Sequence, residues 1–250
     1  MAGAKTWIVV PCYDEAQRLR TDEFARFTSE HPDVHFLFVD DGSTDGTRAL
    51  LDRMTARKGA VSVLSLSPNQ GKAEAVRRGM NEAFEQGAIY AGYWDADLAT
   101  PLGEIPRFVE TLDANPELEA LFGSRVQLLG RTIERKASRH YLGRVGATAI
   151  SLVLGLPVYD TQCGAKLFRV TPECKALFED PFLAGWIFDV EIVARLIQAR
   201  RGSGRPGARD VIREIPLQEW RDVAGSKVRA GDFLRSFAAL LRIRRRYLRG

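Results

Sequence analysis

The feature that narrows the fold most is an alternation in the first hundred residues. Four short apolar runs, TWIVVPCY, HFLFVDD, VSVLSL and AIYAGYWDAD, are rich in β-branched and aromatic residues. Helical stretches over residues 15–29, 44–57 and 71–86 separate them. Such runs read as buried strands and the stretches between them as helices. A βαβαβαβ order predicts an α/β fold, a mostly parallel sheet with helices on both faces. In sheets of this kind ligands bind beyond the carboxyl ends of the strands. The acids of this half stand there: Asp14 and Glu15 after the first run, Asp40 and Asp41 after the second, Asp95 and Asp97 after the fourth.

The second half is less regular. After Pro101 a helix to about Asn115 and a strand LEALFGSR are predicted, followed by a basic segment RTIERKASRHYLGR and an apolar run over residues 145–158. Then come the segment DTQCGAKLFRV, a helix FDVEIVARLIQARR, a loop GSGRPG, a strand VIREIPLQEW and a C-terminal helix DFLRSFAALLRIRRRYL. No repeat or low-complexity tract interrupts the 250 residues, which suit one large domain. We read residues 1–228 as that domain and 229–250 as a basic C-terminal helix.

Composition excludes several classes. Cys12, Cys163 and Cys174 are odd in number and widely spaced, which fits neither a disulfide framework nor a zinc site. The amino-terminal sequence shows no signal pattern. The apolar run 145–158 is shorter than the ~20 residues of a membrane-spanning helix. The net charge is +4, but seven arginines between residues 229 and 250 oppose one aspartate, a local excess of +6. Such a patch favours anionic surfaces. Nucleic acid is disfavoured, because Tyr247 is the one stacking aromatic in the arginine-rich end of that stretch.

Three motifs carry chemistry. In an extended segment Asp95 and Asp97 point to the same side. Two carboxylates there repel unless a cation or donors neutralise them. Either they hold a hard divalent ion such as Mg²⁺ or Mn²⁺ together with substrate phosphates, or they are solvated acids at a strand tip. In VDDGSTDGT, Ser43, Thr44 and Asp45 read as the capped start of a helix. Asp40 and Asp41 are candidates for bonds to a ribose or base. In NQGKAEAVRRGM, Lys72 opens a helix as a phosphate-binding lysine would. The Walker spacing is missing, so the same pattern reads equally well as a surface lysine.

Taken in order, VVPCYDE, VDDGSTDGT, NQGKAEAVRRG, DADLATP and GSR resemble the family-2 glycosyltransferases of GT-A fold. DTQCGAKLF, WIFDVEIVARL and EIPLQEWRDVAGSKV narrow the resemblance to the polyprenyl-phosphate glycosyltransferases, and among them to the dolichyl-phosphate β-glucosyltransferases. The resemblance spans almost the whole chain. It implies that Pro11, Tyr13 and Glu15 line a nucleotide pocket and that Asp40 and Asp41 hold the base or ribose. It also places Lys72 near the nucleotide, and Asp95 and Asp97 on Mg²⁺ or Mn²⁺. Arg125 is implied to contact phosphates or sugar, and Arg221, Ser226 and Lys227 to close over the diphosphate. Mannosyl relatives usually carry a Gln two residues after the second Asp; here that place is Ala99, which tilts the donor from GDP-mannose toward UDP-glucose.

The implied reaction is transfer of a hexose to a polyprenyl or dolichyl phosphate with inversion. A phosphate monoester is largely ionised at neutral pH and needs no general base. Arg135, Arg139 and Arg144 are placed in sequence to receive it. A saccharide or small-molecule hydroxyl acceptor would instead need a base. Asp189 is the candidate, with Glu191 second; both also read as helix-start acids. The expected place of action is the cytoplasmic face of a membrane, with the protein peripheral to it.

Overall fold

A computed structural model describes residues 5–56, 60–134, 137–223 and 231–249. Strands β1 (Thr6–Cys12), β2 (Val34–Asp41), β3 (Val61–Leu66) and β4 (Tyr90–Trp94) are connected by helices α1 (Thr21–Glu30), α2 (Thr47–Ala56) and α3 (Lys72–Glu85). The four strands are parallel, as the alternation predicts. The helix expected from residue 15 begins at Thr21, because the backbone N–H groups of Arg18 and Leu19 turn back onto Glu15 O.

The chain continues through α4 (Glu104–Ala114), β5 (Ala120–Ser124), β6 (Thr132–Glu134), α5 (Ala137–Leu154), β7 (Ala165–Arg169), α6 (Pro172–Glu179) and α7 (Phe188–Arg200). It ends with α8 (Ala208–Val211), β8 (Ile212–Pro216), β9 (Glu219–Arg221), α9 (Gly231–Ile243) and a π-helical turn Arg244–Leu248. One seven-stranded sheet runs in the order β3-β2-β1-β4-β7-β5-β8. Only β7 runs against its neighbours β4 and β5. The strand expected over residues 211–220 is two strands. Pro216 ends β8, and the N–H of Gln218 turns to the Glu104 carboxylate at 2.7 Å. β9 then pairs with β6 in a separate two-stranded sheet.

Strands covered on both faces bury every position rather than every second one. In β1, Val9 faces one core cluster while Ile8 and Val10 face the other. The first cluster lies under α3, α6 and α7, the second under α1, α2 and α4. Glycine sets one close approach. A Cβ on Gly79 of α3 would meet Val9 Cγ1 at 2.4 Å and Val39 Cγ2 at 2.8 Å, so α3 lies directly on β1 and β2. That seating holds the α3 N-terminus, with Lys72, over the carboxyl edge of the parallel strands.

Candidate functional site

The parallel register brings the ends of β1, β2 and β4 to one edge. The loops after β1 and β2 lock together. Asp14, in a left-handed conformation (φ 48°), accepts from the N–H of Thr44 at 2.8 Å, and its own N–H donates to Ser43 Oγ at 3.1 Å. The N–H of Glu15 donates to Thr47 Oγ1 at 2.7 Å. Ser43 and Thr44 therefore brace the β1 loop and do not cap α2, which corrects that part of the expectation. Asp45 does cap: its Oδ1 accepts from the N–H of Thr47 at 2.9 Å.

Asp40 Oδ1 accepts from the N–H of Ser43 at 3.1 Å. Asp41 is more fully engaged. It accepts from the N–H of Gln70 at 2.8 Å and of Gly71 at 2.7 Å, and from Asn69 Nδ2 at 3.0 Å. Burial raises its pKa despite those donors. Its carboxylate shapes the loop that delivers Lys72. Pro11 is half-buried in β1, and Tyr13 stands exposed at its end.

Asp95 and Asp97 follow β4 on a tight turn with Leu98 at φ 53°. The N–H of Asp95 donates to Gly164 O at 3.0 Å, and the N–H of Ala99 to Asp97 Oδ1 at 3.1 Å. A Cβ on Gly164 would lie 1.8 Å from Asp95 Oδ2, so the glycine of DTQCG is what lets Asp95 sit where it does. Burial, and then the neighbouring Asp95 charge, push the Asp97 pKa up. Lys72 Nζ lies 2.5 Å from Asp95 Oδ1. Burial opposes its charge, but Asp95 and Asp189 hold it and raise its pKa. Arg18 also lies in the field of this pair, clamped by Glu15 at 2.5 and 2.8 Å. Nothing in the sequence marks Arg18, since it falls in the stretch that reads as helix.

Among the described residues no group of three or more His, Cys, Asp or Glu could hold a metal alone. The Asp95–Asp97 pair fits an ion of the Mg²⁺ or Mn²⁺ type, which takes one or two carboxylates and completes its shell with phosphates. The mutual repulsion of the pair, and the cation already resting on Asp95, mark a place that attracts positive charge. Ala99 is buried, and its C=O accepts from the N–H of Arg221 at 3.1 Å. Its place therefore carries a backbone bond that brings Arg221 against DADLATP. Ser226, Lys227 and Arg135 lie outside the described residues, as does the side chain of Arg139. Arg144 stacks over the Tyr159 ring at 3.9 Å.

Behind this edge lies a charge network that the motifs only partly announce. Arg125 meets Asp160 through two bonds of 2.7 Å and stacks on Trp220. Its Nε and Nη2 bind Asp160, which fixes the guanidinium at the end of β5. Burial opposes ionisation of Asp160, but Arg125 outweighs it and holds the carboxyl below its ordinary range. Glu214 accepts from the N–H groups of Tyr159 and Asp160 at 2.7 and 2.6 Å. Lys166 is fully buried; it donates to Thr161 O and Cys163 O and pairs with Asp189 at 2.6 Å. Tyr93 OH donates to Asp189 Oδ1 at 2.5 Å. Asp189 is thus a buried acid held by a phenol and a lysine. Glu191 binds Arg195 and Tyr247 OH, both at 2.9 Å, and is likewise enclosed. Lys166 stands within DTQCGAKLF; a lysine amid an apolar strand is the available signal for it.

Comparison with known proteins bears on this arrangement. Residues 7–173 match the family described as Glycosyl transferase family 2. The chain is 28% identical to a dolichyl-phosphate beta-glucosyltransferase of Saccharomyces cerevisiae, covering 97% of this chain and 75% of the relative. It is 30% identical to the Mus musculus enzyme of that name, over 97% of this chain and 76% of the relative. Among solved structures, glucosyl-3-phosphoglycerate synthase from Mycobacterium tuberculosis, in complex with Mn²⁺ and UDP-glucose, superposes with a TM-score of 0.69 at 18% identity. That match covers 97% of this chain and 79% of the other. A mannosyltransferase from Pyrobaculum calidifontis with GDP-mannose and Mn²⁺ reaches 0.63 at 16% identity, over 96% and 63% of the two chains. The seven-stranded sheet is the GT-A, Rossmann-like fold of these structures.

Proposed function

Starting from a chain that belongs to glycosyl transferase family 2, we propose that it transfers glucose from UDP-glucose to a polyprenyl phosphate, with inversion at the anomeric carbon. The observation that carries this reading is the Asp95–Asp97 pair at the carboxyl end of β4, with Lys72 on it and Arg18 beside it. The names of the relatives, matched along nearly the whole chain, support glucose and a lipid phosphate.

The bond from the anomeric carbon to the diphosphate oxygen breaks, and a bond from that carbon to an acceptor phosphate oxygen forms. The leaving group gains negative charge, and preorganised cations stabilise it most effectively in a site shielded from water. Asp95 and Asp97 would hold a divalent ion, which would supply Lewis-acid neutralisation of that charge. Lys72 is the protein's own cation for the same purpose. Once Asp95 has another counter-ion, the Lys72 ammonium is available to a diphosphate. Tyr93 and Lys166 fix Asp189, whose charge, after that of Asp95, raises the Lys72 pKa. The acceptor is already ionised and attacks without a base. Residues 1–228 form the transferase unit in this reading, and 229–250 serve it as a basic helix at the cytoplasmic face of a membrane.

The test is a donor-by-acceptor assay. UDP-glucose and GDP-mannose are each offered with a short-chain polyprenyl phosphate, with and without Mn²⁺. Glucosyl phosphoprenol from the UDP-glucose arm with Mn²⁺ is expected. Product from neither donor would overturn the reading, and product from GDP-mannose alone would reverse the sugar.

A further inference from the structure

The C-terminal helix exposes more apolar surface than its core contact uses. In α9 and the π-helical turn after it, Ala239, Leu240, Ile243 and Tyr247 are buried against the α7 side of the first core cluster. Tyr247 OH is anchored on Glu191 of α7 at 2.9 Å, and Arg201 at the end of α7 donates to Leu248 O. Phe237 and Leu241 nevertheless stand 59% and 38% exposed. Four residues apart, they are neighbours on the outer surface of the helix. At 3.6 residues per turn Arg242 lies about 100° beyond Leu241. Arg242, Arg245, Arg246 and Arg249 are all exposed, and exposed Arg244 ends the apolar row one turn beyond Leu241. An apolar row therefore borders an arginine row, on a helix pinned to the body of the protein by its third side.

We infer that this face of α9 docks the protein flat onto an anionic lipid bilayer, with Phe237 and Leu241 at the acyl boundary and the arginines among the headgroups. An interfacial helix has this division, apolar on one side and rich in arginine or lysine on the other. Other occupants suit the face less well. A second copy meeting it across a two-fold axis would set the same patch against itself, arginines included. A nucleic-acid strand would want stacking aromatics, whereas Tyr247 is buried with its hydroxyl committed. The inference rests on the lipid-phosphate reading for its purpose, since docking would bring the crevice to a membrane-held acceptor.

Its test uses the full chain and sedimentation with vesicles of phosphatidylcholine alone, or with a third of phosphatidylglycerol. Binding to the anionic vesicles is expected, weakening as salt rises. An arginine near such a surface is worth roughly fivefold in binding. Arg242→Glu with Arg245→Glu should therefore lower the partition by about 25-fold or more. Phe237→Ser with Leu241→Ser should lower it at least about tenfold. Both variants should keep wild-type transfer to a water-soluble short-chain prenyl phosphate, which also shows that they fold. Wild type that ignores anionic vesicles, or variants that bind them as wild type does, would overturn the docking. A wild-type dimer that the Phe237 and Leu241 changes split would assign the face to a second copy, and competition by duplex DNA at equal charge would assign it to nucleic acid; both overturn the lipid. Vesicle binding without transfer to any prenyl phosphate would instead sink the proposed reaction and leave the docking standing.

Discussion

Gly164→Ala is the sharpest probe of the Asp95 site. The added Cβ would start 1.8 Å from Asp95 Oδ2 and 2.1 Å from its Cγ. Cβ contacts under 3.0 Å are essentially never seen, so one side must give way by at least about 1.2 Å. Gly164 cannot easily retreat, because its C=O accepts from the N–H of Asp95 at 3.0 Å. The loop it ends is bonded to the buried Lys166. The carboxylate is the mobile partner. Metal–oxygen distances tolerate only about ±0.2 Å, so the displacement takes Asp95 out of a productive shell. A misplacement of about 1 Å in a reacting geometry can cost ~100-fold in rate. We expect Gly164→Ala to fold, to lose at least about tenfold in Mn²⁺ affinity by electron paramagnetic resonance titration, and to lose about 100-fold in transfer. Circular dichroism and a thermal scan check folding. A folded variant that binds Mn²⁺ as tightly as wild type would refute the placement of Asp95 as a ligand.

Other outcomes follow from the same geometry. Removing the cation from Asp95 by Lys72→Ala should tighten Mn²⁺ binding in the absence of nucleotide, by up to about tenfold once solvent screening of this partly exposed pair is allowed for; titration calorimetry reads it, and unchanged or weaker binding contradicts a Lys72 that competes with the ion. Asp160→Asn leaves Arg125 charged and unpaired in a buried place, a loss of about 3–5 kcal/mol at neutral pH by urea unfolding. Because the folded Asp160 pKa is depressed, that contribution is present above the ordinary carboxylate value of about 3.9 and fades as pH falls through the folded value. The stability gap between wild type and variant should therefore narrow below about pH 4, and a constant gap would contradict the pairing. Burial pushes the Cys163 thiol up to about 11 and Cys174 to about 12. Neither should react with a thiol reagent at neutral pH until the protein unfolds, and rapid labelling of the native chain would contradict their enclosure.

The donor half of the fold is legible because each signal is local. Buried strands such as HFLFVDD read as unbroken apolar runs, and the acids stand at their ends in a pattern that parallel strands bring together. The second half depends on long-range partners. That β7 runs antiparallel between β4 and β5 follows from tertiary packing, and no residue in DTQCGAKLFRV states it. The site residues divide in the same way. Asp95, Asp97 and Lys72 meet at one edge because strand ends and a helix start are local features. Arg125 and Asp189 read as free groups, since the sequence does not reveal that Asp160 or Lys166 folds against each of them. Arg18 lies near the aspartates because a turn replaces the first coil of the expected helix, and turn and helix cannot be told apart by composition there.

The Arg125–Asp160 bond joins positions 35 apart in the chain, and everything between them, including β6 and α5, leaves and returns through that clasp. Glu214 tightens it from β8 by holding the two residues at the returning end. A segment fastened at its base pays less closure entropy than an unfastened loop of the same length. Its contents are tied to the body as well, because β6 pairs with β9 and Ile150 and Leu154 of α5 enter the first core cluster, so a change of this segment is tolerated only where those contacts are kept.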